Sequence, residues 1–193
     1  MESLQRKALK TNLMLPIRSF YDTVFFTNST RYPLMRYLEM NLISEANAIF
    51  NQLEAKNFSI NLEAYSCKYT KKQRKRQNYK NTMAHLINTL ELANLKGKCK
   101  LKKEDFKLKQ FSEIKNDIFL ILMCNNRFDA EKMIRMLVIC IQNTVGINNT
   151  LIFSLENRIA LLSDDKHFLC YLFYNRKAKR ILLLTIFYNM NKR

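Results

Sequence analysis

Glycine is nearly absent: Gly97 and Gly146 are the only two among 193 residues. Phosphate-binding loops and dinucleotide fingerprints need several, because only a backbone without Cβ turns tightly enough to approach a phosphate. Neither can be built here. Histidine is as scarce, with His85 and His167 alone. Carboxylates number 16 against 33 Lys and Arg, a net charge of +17. A surface that basic favours nucleic acid, acidic protein or anionic membrane, and is silent on fold. The five cysteines, Cys67, Cys99, Cys124, Cys140 and Cys170, never reach CxxC spacing. An odd, scattered set is expected to be reduced buried thiols inside a cell. No stretch approaches the ~20 apolar residues of a membrane helix; the longest apolar runs, Ile118–Cys124 and Ile181–Phe187, are of core length. Arg6, Lys7 and Lys10 near the start are not followed by a signal-peptide core. The expectation is a soluble intracellular protein.

What is present suffices for folding. Hydrophobic residues make up 48% and aromatics 11%, which excludes wholesale disorder. The length suits one domain with its own core. Residues 1–34 show no clear period, and Pro16 and Pro33 interrupt any long element; they form an N-terminal extension of open role. From Met35, Leu38, Leu42, Ala46, Ile49, Phe50 and Leu53 recur at helical steps, which predicts a helix over about Arg36–Lys56 with Asn47 on its polar side. Phe58, Ile60, Leu62 and Ala64 then alternate with polar residues as a strand does, to about Tyr69. A basic linker follows at about 70–80.

Met83, Leu86, Ile87, Leu90 and Ala93 predict a second helix, with Gly97 as its stop. Residues 98–113 read as strand or loop. Helices are expected near Ile114–Asn125 and Asp129–Asn143, with Asp129 an N-cap, and a strand over Thr150–Leu155. Phe168–Tyr174 and Arg180–Tyr188, joined by 175–179, predict a β-hairpin. Successive residues in both arms are apolar, so both sheet faces should be covered. The expected fold is α/β in the α+β sense: a three-layer helix–sheet–helix sandwich around a mostly antiparallel sheet, as one domain over 35–193.

Catalysis finds little footing. Asp164, Asp165 and His167 cluster before the hairpin, but no third ligand or nucleophile accompanies them, and an exposed polar turn accounts for them better. The cysteines sit among apolar neighbours as core residues. No enzyme, metal or cofactor is expected. The remaining candidates are basic. Lys71, Lys72, Arg74, Lys75 and Arg76 fit a nuclear-import signal, a phosphate patch or a solvated linker. Arg176, Lys177, Lys179 and Arg180 sit at the hairpin tip, where a rigid scaffold presents them to a partner. Tyr171, Phe173 and Tyr174 beside them suggest a base-stacking platform, but a doubly covered sheet makes them core.

Three segments resemble one family, the Maf-one repressors of RNA polymerase III transcription. MRYLEMNLISEANAIFNQL with LEAYSCKY resembles the family's opening helix and first strand; Glu63, Tyr65, Ser66, Cys67 and Lys68 fall on its E-S-Y-S-C-K signature. TMAHLINTL resembles the helix after its mobile linker, and CYLFYNRKAKRILLL its Y-F-F-Y-N-K-R-x-K-R motif. VGINNTLIFSL is similar to a weaker segment in which Thr150 replaces a cysteine. The resemblance spans about Met35 to Phe187. It implies a three-layer sandwich and a non-enzymatic repressor. Such a repressor binds polymerase III near its clamp and initiation subunits and blocks recruitment by the promoter-bound initiation factor, in a nucleus it enters and leaves. The departures are a short basic linker where the family's is long and serine-rich, and a reduced Lys103-Glu-Asp-Phe106 box. No acidic tail follows the hairpin before Arg193, and residues 1–34 have no counterpart. The alternative expectation is a basic protein that binds tRNA or DNA.

Overall fold

The computed structural model describes residues 35–52, 58–67, 82–95, 101–125, 130–155 and 166–189, all within the compact unit Tyr32–Arg193. The elements are β1 (Arg36–Leu38), α1 (Asn41–Gln52), β2 (Phe58–Ser66), α2 (Thr82–Leu92), β3 (Phe106–Lys109), α3 (Phe111–Asn125), α4 (Ala130–Thr144), β4 (Leu151–Leu155), β5 (Lys166–Asn175) and β6 (Arg180–Asn189). Six strands form one sheet in the order β1-β2-β6-β5-β4-β3, and every pairing is antiparallel.

Alternation along the strands sorts side chains between two cores. Phe58, Ile60, Leu62 and Ala64 of β2, Tyr171 and Phe173 of β5, and Leu182, Leu184 and Ile186 of β6 face α1, α3 and α4. Tyr65, Cys67, Cys170, Leu172, Tyr174, Ile181 and Leu183 face the other way, onto Leu86 and Leu90 of α2. Both arms of the central hairpin are therefore buried on both sides, and the fold is the expected three-layer α+β sandwich.

The opening helix differs from its pattern. Arg36–Leu38 is an edge strand on β2, with Leu38 opposite Ala64 and Arg36 opposite Ser66. The helix begins after Met40, whose carbonyl accepts from Ile43 and Ser44 N–H. Long-range pairing here overrides a local helical period. Asn47 lies on the buried side of α1 and not on the polar one. Its Nδ2 donates to the Leu62 carbonyl at 2.8 Å, and its Oδ1 accepts from Leu62 N–H at 2.9 Å.

α2 stops earlier than expected. Asn94 adopts φ 55, its N–H bonds the Glu91 carbonyl, and Leu95 N–H bonds that of Leu90. This is a Schellman cap with asparagine in the left-handed position usually held by glycine. Gly97 lies outside the described residues, as do Asp129, Asp164, Asp165, Cys99 and residues 1–34. The stretch read as strand or loop holds a 3-10 turn at Lys103–Asp105 and then β3, but its last three residues, Phe111–Glu113, already belong to α3.

Gly146 ends α4 at φ 72, with its N–H on the Ile141 carbonyl. A Cβ there would meet nothing closer than 4.0 Å, so only the backbone resists substitution. Gly146→Ala is expected to cost about 1–3 kcal/mol, read as a lower midpoint in urea unfolding with unchanged slope.

Candidate functional site

The hairpin tip is built by β5 and β6, whose register closes at Asn175 opposite Arg180. Arg176, Lys177 and Ala178 are exposed, and Lys179 and Arg180 half-buried. Lys179 holds φ 54, an uncommon conformation for a long side chain, and its carbonyl accepts from Cys67 N–H at 2.8 Å. The end of β2 thus braces the turn.

Two residues of the motif hold the tip to a helix end. Asn175 is buried; its Nδ2 donates to the Val145 carbonyl, and its Oδ1 accepts from Ala178 N–H at 2.9 Å. The Arg180 Nη1 donates to the Thr144 carbonyl at 3.2 Å. Carbonyls at a helix C-terminus lack intrahelical partners, and a cation there also complements the helix dipole. Of the four cations expected to meet a partner, Arg180 is therefore largely structural, and Arg176 and Lys177 are the exposed pair. Nothing in the sequence pairs Asn175 or Arg180 with α4, 30 and 36 residues away.

The rings beside the tip are core. Tyr171, Phe173 and Tyr174 are buried, so the stacking platform is absent. Burial, then the nearby Asp117 carboxylate, raises the Tyr171 hydroxyl pKa well above the usual phenol range. In the signature strand, Glu63 accepts from Asn61 Nδ2 at 2.9 Å and from the Tyr65 hydroxyl, and the Tyr65 ring meets Tyr37 edge-on. Cys67 and Cys140 are buried thiols pushed up by desolvation to about 12 and about 11. Cys170 rises further for the same reason. Raised thiols are inert, as expected of packing residues. Among the described residues no three His, Cys, Asp or Glu could hold a metal, and no helix is long and apolar enough to cross a membrane. The five linker candidates, Lys71, Lys72, Arg74, Lys75 and Arg76, lie outside the described residues.

His85 is buried against the Tyr174 ring at 5.7 Å, and desolvation lowers its pKa from 6.5 to about 4. The unfolded chain takes this proton near pH 6.5 and the folded chain only near pH 4. Stability from this residue is full above pH 6.5, falls between those values and is flat below, a loss of about 3 kcal/mol at most. Denaturant titrations at pH 7 and pH 4.5 should show a smaller acid loss for His85→Gln than for the unsubstituted protein. Equal losses would remove His85 as the cause.

Two uncharacterized proteins of Encephalitozoon cuniculi are each 31% identical over 158 residues, covering 79% of this chain and 98% of each relative. The chain belongs to their family. No family model matches it. Two crystal structures of citrus MAF1 superpose with TM-scores of 0.58 and 0.59 at 18% and 17% identity. They cover 77% and 80% of this chain and 99% of each MAF1 chain. The fold is that of MAF1. The match runs over nearly the whole of each MAF1 chain despite the low identity.

Proposed function

We propose that the protein is a compact MAF1-like, non-enzymatic repressor of RNA polymerase III. It binds the polymerase and blocks its recruitment to promoters. The observation that carries this reading is the likeness to MAF1 over 99% of the citrus chain, joined to Glu63, Tyr65, Ser66 and Cys67 at the end of β2 and to the Asn175–Arg180 hairpin. Repression by occlusion needs a rigid body with fixed surface groups, and no reactive centre. A sheet buried on both faces supplies the first. Arg176 and Lys177 on a braced turn are the groups this reading offers to the polymerase. The basic run Lys71, Lys72, Arg74, Lys75 and Arg76 serves nuclear import in this account, and the protein acts in the nucleus while shuttling with the cytoplasm.

Affinity capture of the tagged full chain from its own cells tests the proposal. Polymerase III subunits, with those of its clamp and initiation subcomplex foremost, are expected among the retained proteins. Retention of all three nuclear polymerases in proportion to abundance, or of none, would sink it.

A further inference from the structure

β3 is the last strand of the sheet. Among the described residues it pairs with β4 alone, from Phe106 opposite Leu155 to Lys109 opposite Ile152. Its outer side carries backbone N–H and C=O groups that no other strand of this sheet takes up, and such an edge is a template for a further strand. At its start the Phe106 N–H turns back onto the Lys103 carbonyl. Residues 107–109 are the open part.

Side chains alternate across this edge. Leu108 shares a face with its β4 partner Phe153, whereas Lys107 and Lys109 share the other face with Ser154 and Ile152. Phe106 and Phe153 are buried in the core under α2. Leu108 is 63% exposed, and Leu151, its diagonal neighbour on β4, is 48% exposed. The chain on either side of this corner is folded, with α3 after Gln110 and a 3-10 turn at Ile147–Asn149 before β4, and it leaves both leucines open. Two carboxylates near the strand are held on backbone. Asp105 Oδ2 accepts from Lys102 N–H at 2.6 Å, and Glu113 Oε2 accepts from Gln110 N–H at 2.8 Å. Glu104 is exposed in the turn before the strand. Within β3 itself the charges are both positive.

A second copy of the chain fits this edge badly. Opposed residues of an antiparallel pair share a face, so two β3 edges can meet about a two-fold axis through Leu108 or through Lys107. The first arrangement sets Lys107 opposite Lys109 of the second copy, twice. The second sets Lys107 against its own copy. Like charges directly opposite destabilise a sheet, whereas opposite charges stabilise it. A strand with acidic residues opposite both lysines and an apolar residue opposite Leu108 gains on both faces.

We infer that the outer edge of β3 binds an extended segment of another protein by strand addition, the segment alternating acidic, apolar and acidic residues against Lys107, Leu108 and Lys109. This goes beyond the repressor reading and uses a surface apart from Arg176 and Lys177, so polymerase capture is judged separately.

The test uses the full-length protein and a fluorescein-labelled hexapeptide of alternating glutamate and valine. Anisotropy is read at about 0.15 M salt, where undirected surface attraction is screened. The alternating peptide should bind about 10-fold or more tightly than a block peptide of the same composition. N-methylation of the peptide shows whether backbone is used. Only every second residue of an added strand turns its N–H to the edge, so methylating one alternate set should weaken binding about 10-fold or more and methylating the other should change it little. This comparison uses the unsubstituted protein and depends on no variant folding. Lys107→Glu/Lys109→Glu should invert the preference, losing the glutamate peptide by about 10-fold and taking up its lysine–valine counterpart. Leu108→Ser, at an exposed position, should weaken the glutamate peptide about 5-fold with Tm unchanged.

Equal binding of the alternating and block peptides would overturn the proposal in favour of overall charge. Absence of binding would overturn it outright, and methylation harmless in both sets would remove strand addition. A dimer that Leu108→Ser dissociates in sedimentation would give the edge to a second copy instead.

Discussion

Phe173→Ala is expected to lower folding stability by about 3–5 kcal/mol, seen as a fall in Tm of about 6–20 °C for a domain of this size. Phe173 is 0% exposed, in the third-last row of the central hairpin arm before the tip. It stands between Ile152 of β4 and Leu182 of β6, in the core that α1, α3 and α4 cover. Truncation removes the apolar transfer energy of the ring and leaves a cavity. The rigid strands on both sides can collapse into it only partly, since each is held by its own ladder. The comparison that gives the number meaning is three and four residues further along. Arg176→Glu/Lys177→Glu changes exposed turn charges and should stay within about 0.5 kcal/mol per substitution. A Phe173→Ala loss below about 1 kcal/mol would contradict the burial of this ring. So would a tip variant as damaging as the ring variant.

Asn47→Ala is the second large effect, about 3 kcal/mol, and has a different cause. β1 pairs with β2 only over Ala64–Ser66. Beyond it the outer edge of β2 runs under α1, where Leu62 is 0% exposed and water is excluded. The Asn47 carboxamide takes the place of a further strand residue, donating to the Leu62 carbonyl and accepting from its N–H. Alanine leaves both backbone groups buried and unpaired, at about 1–3 kcal/mol each. Asn47→Asp keeps the acceptor but sets a carboxylate against the Leu62 carbonyl, so it should also destabilise and recover partly when acid protonates it. Hydrogen exchange gives the local readout: the Leu62 amide should lose protection in Asn47→Ala more than the Leu184 amide across the ladder. Unchanged protection at Leu62 would contradict the pairing.

Periodicity made the layers legible. The alternation of Phe58, Ile60, Leu62 and Ala64, and the unbroken apolar arms of the hairpin, require one strand facing a helical layer and two strands covered on both sides. What the sequence hides is long-range. Leu38 and Leu42 keep a helical step although Arg36–Leu38 is a strand, because its partners, Ala64–Ser66, are chosen by the fold and not by neighbours. Asn47 and Asn175 are polar residues in polar-looking positions, and their partners are backbone atoms 15 and 30 residues away. Asn94 terminates α2 because asparagine tolerates the left-handed region, which drew the expected stop to the later Gly97. The same blindness applied at the tip. Four adjacent cations look equivalent in sequence, yet Arg180 is half-buried on the Thr144 carbonyl and Arg176 and Lys177 are exposed.

The repressor account is tested most directly by transcription in vitro on a tRNA gene template, with purified protein added before or after the polymerase has been recruited. Occlusion of recruitment predicts loss of the polymerase III transcript when the protein comes first, little effect once the polymerase is engaged, and an unchanged polymerase II transcript at the same salt. Inhibition that ignores the order of addition and falls equally on both polymerases would mark a basic protein coating the template, and would contradict the account.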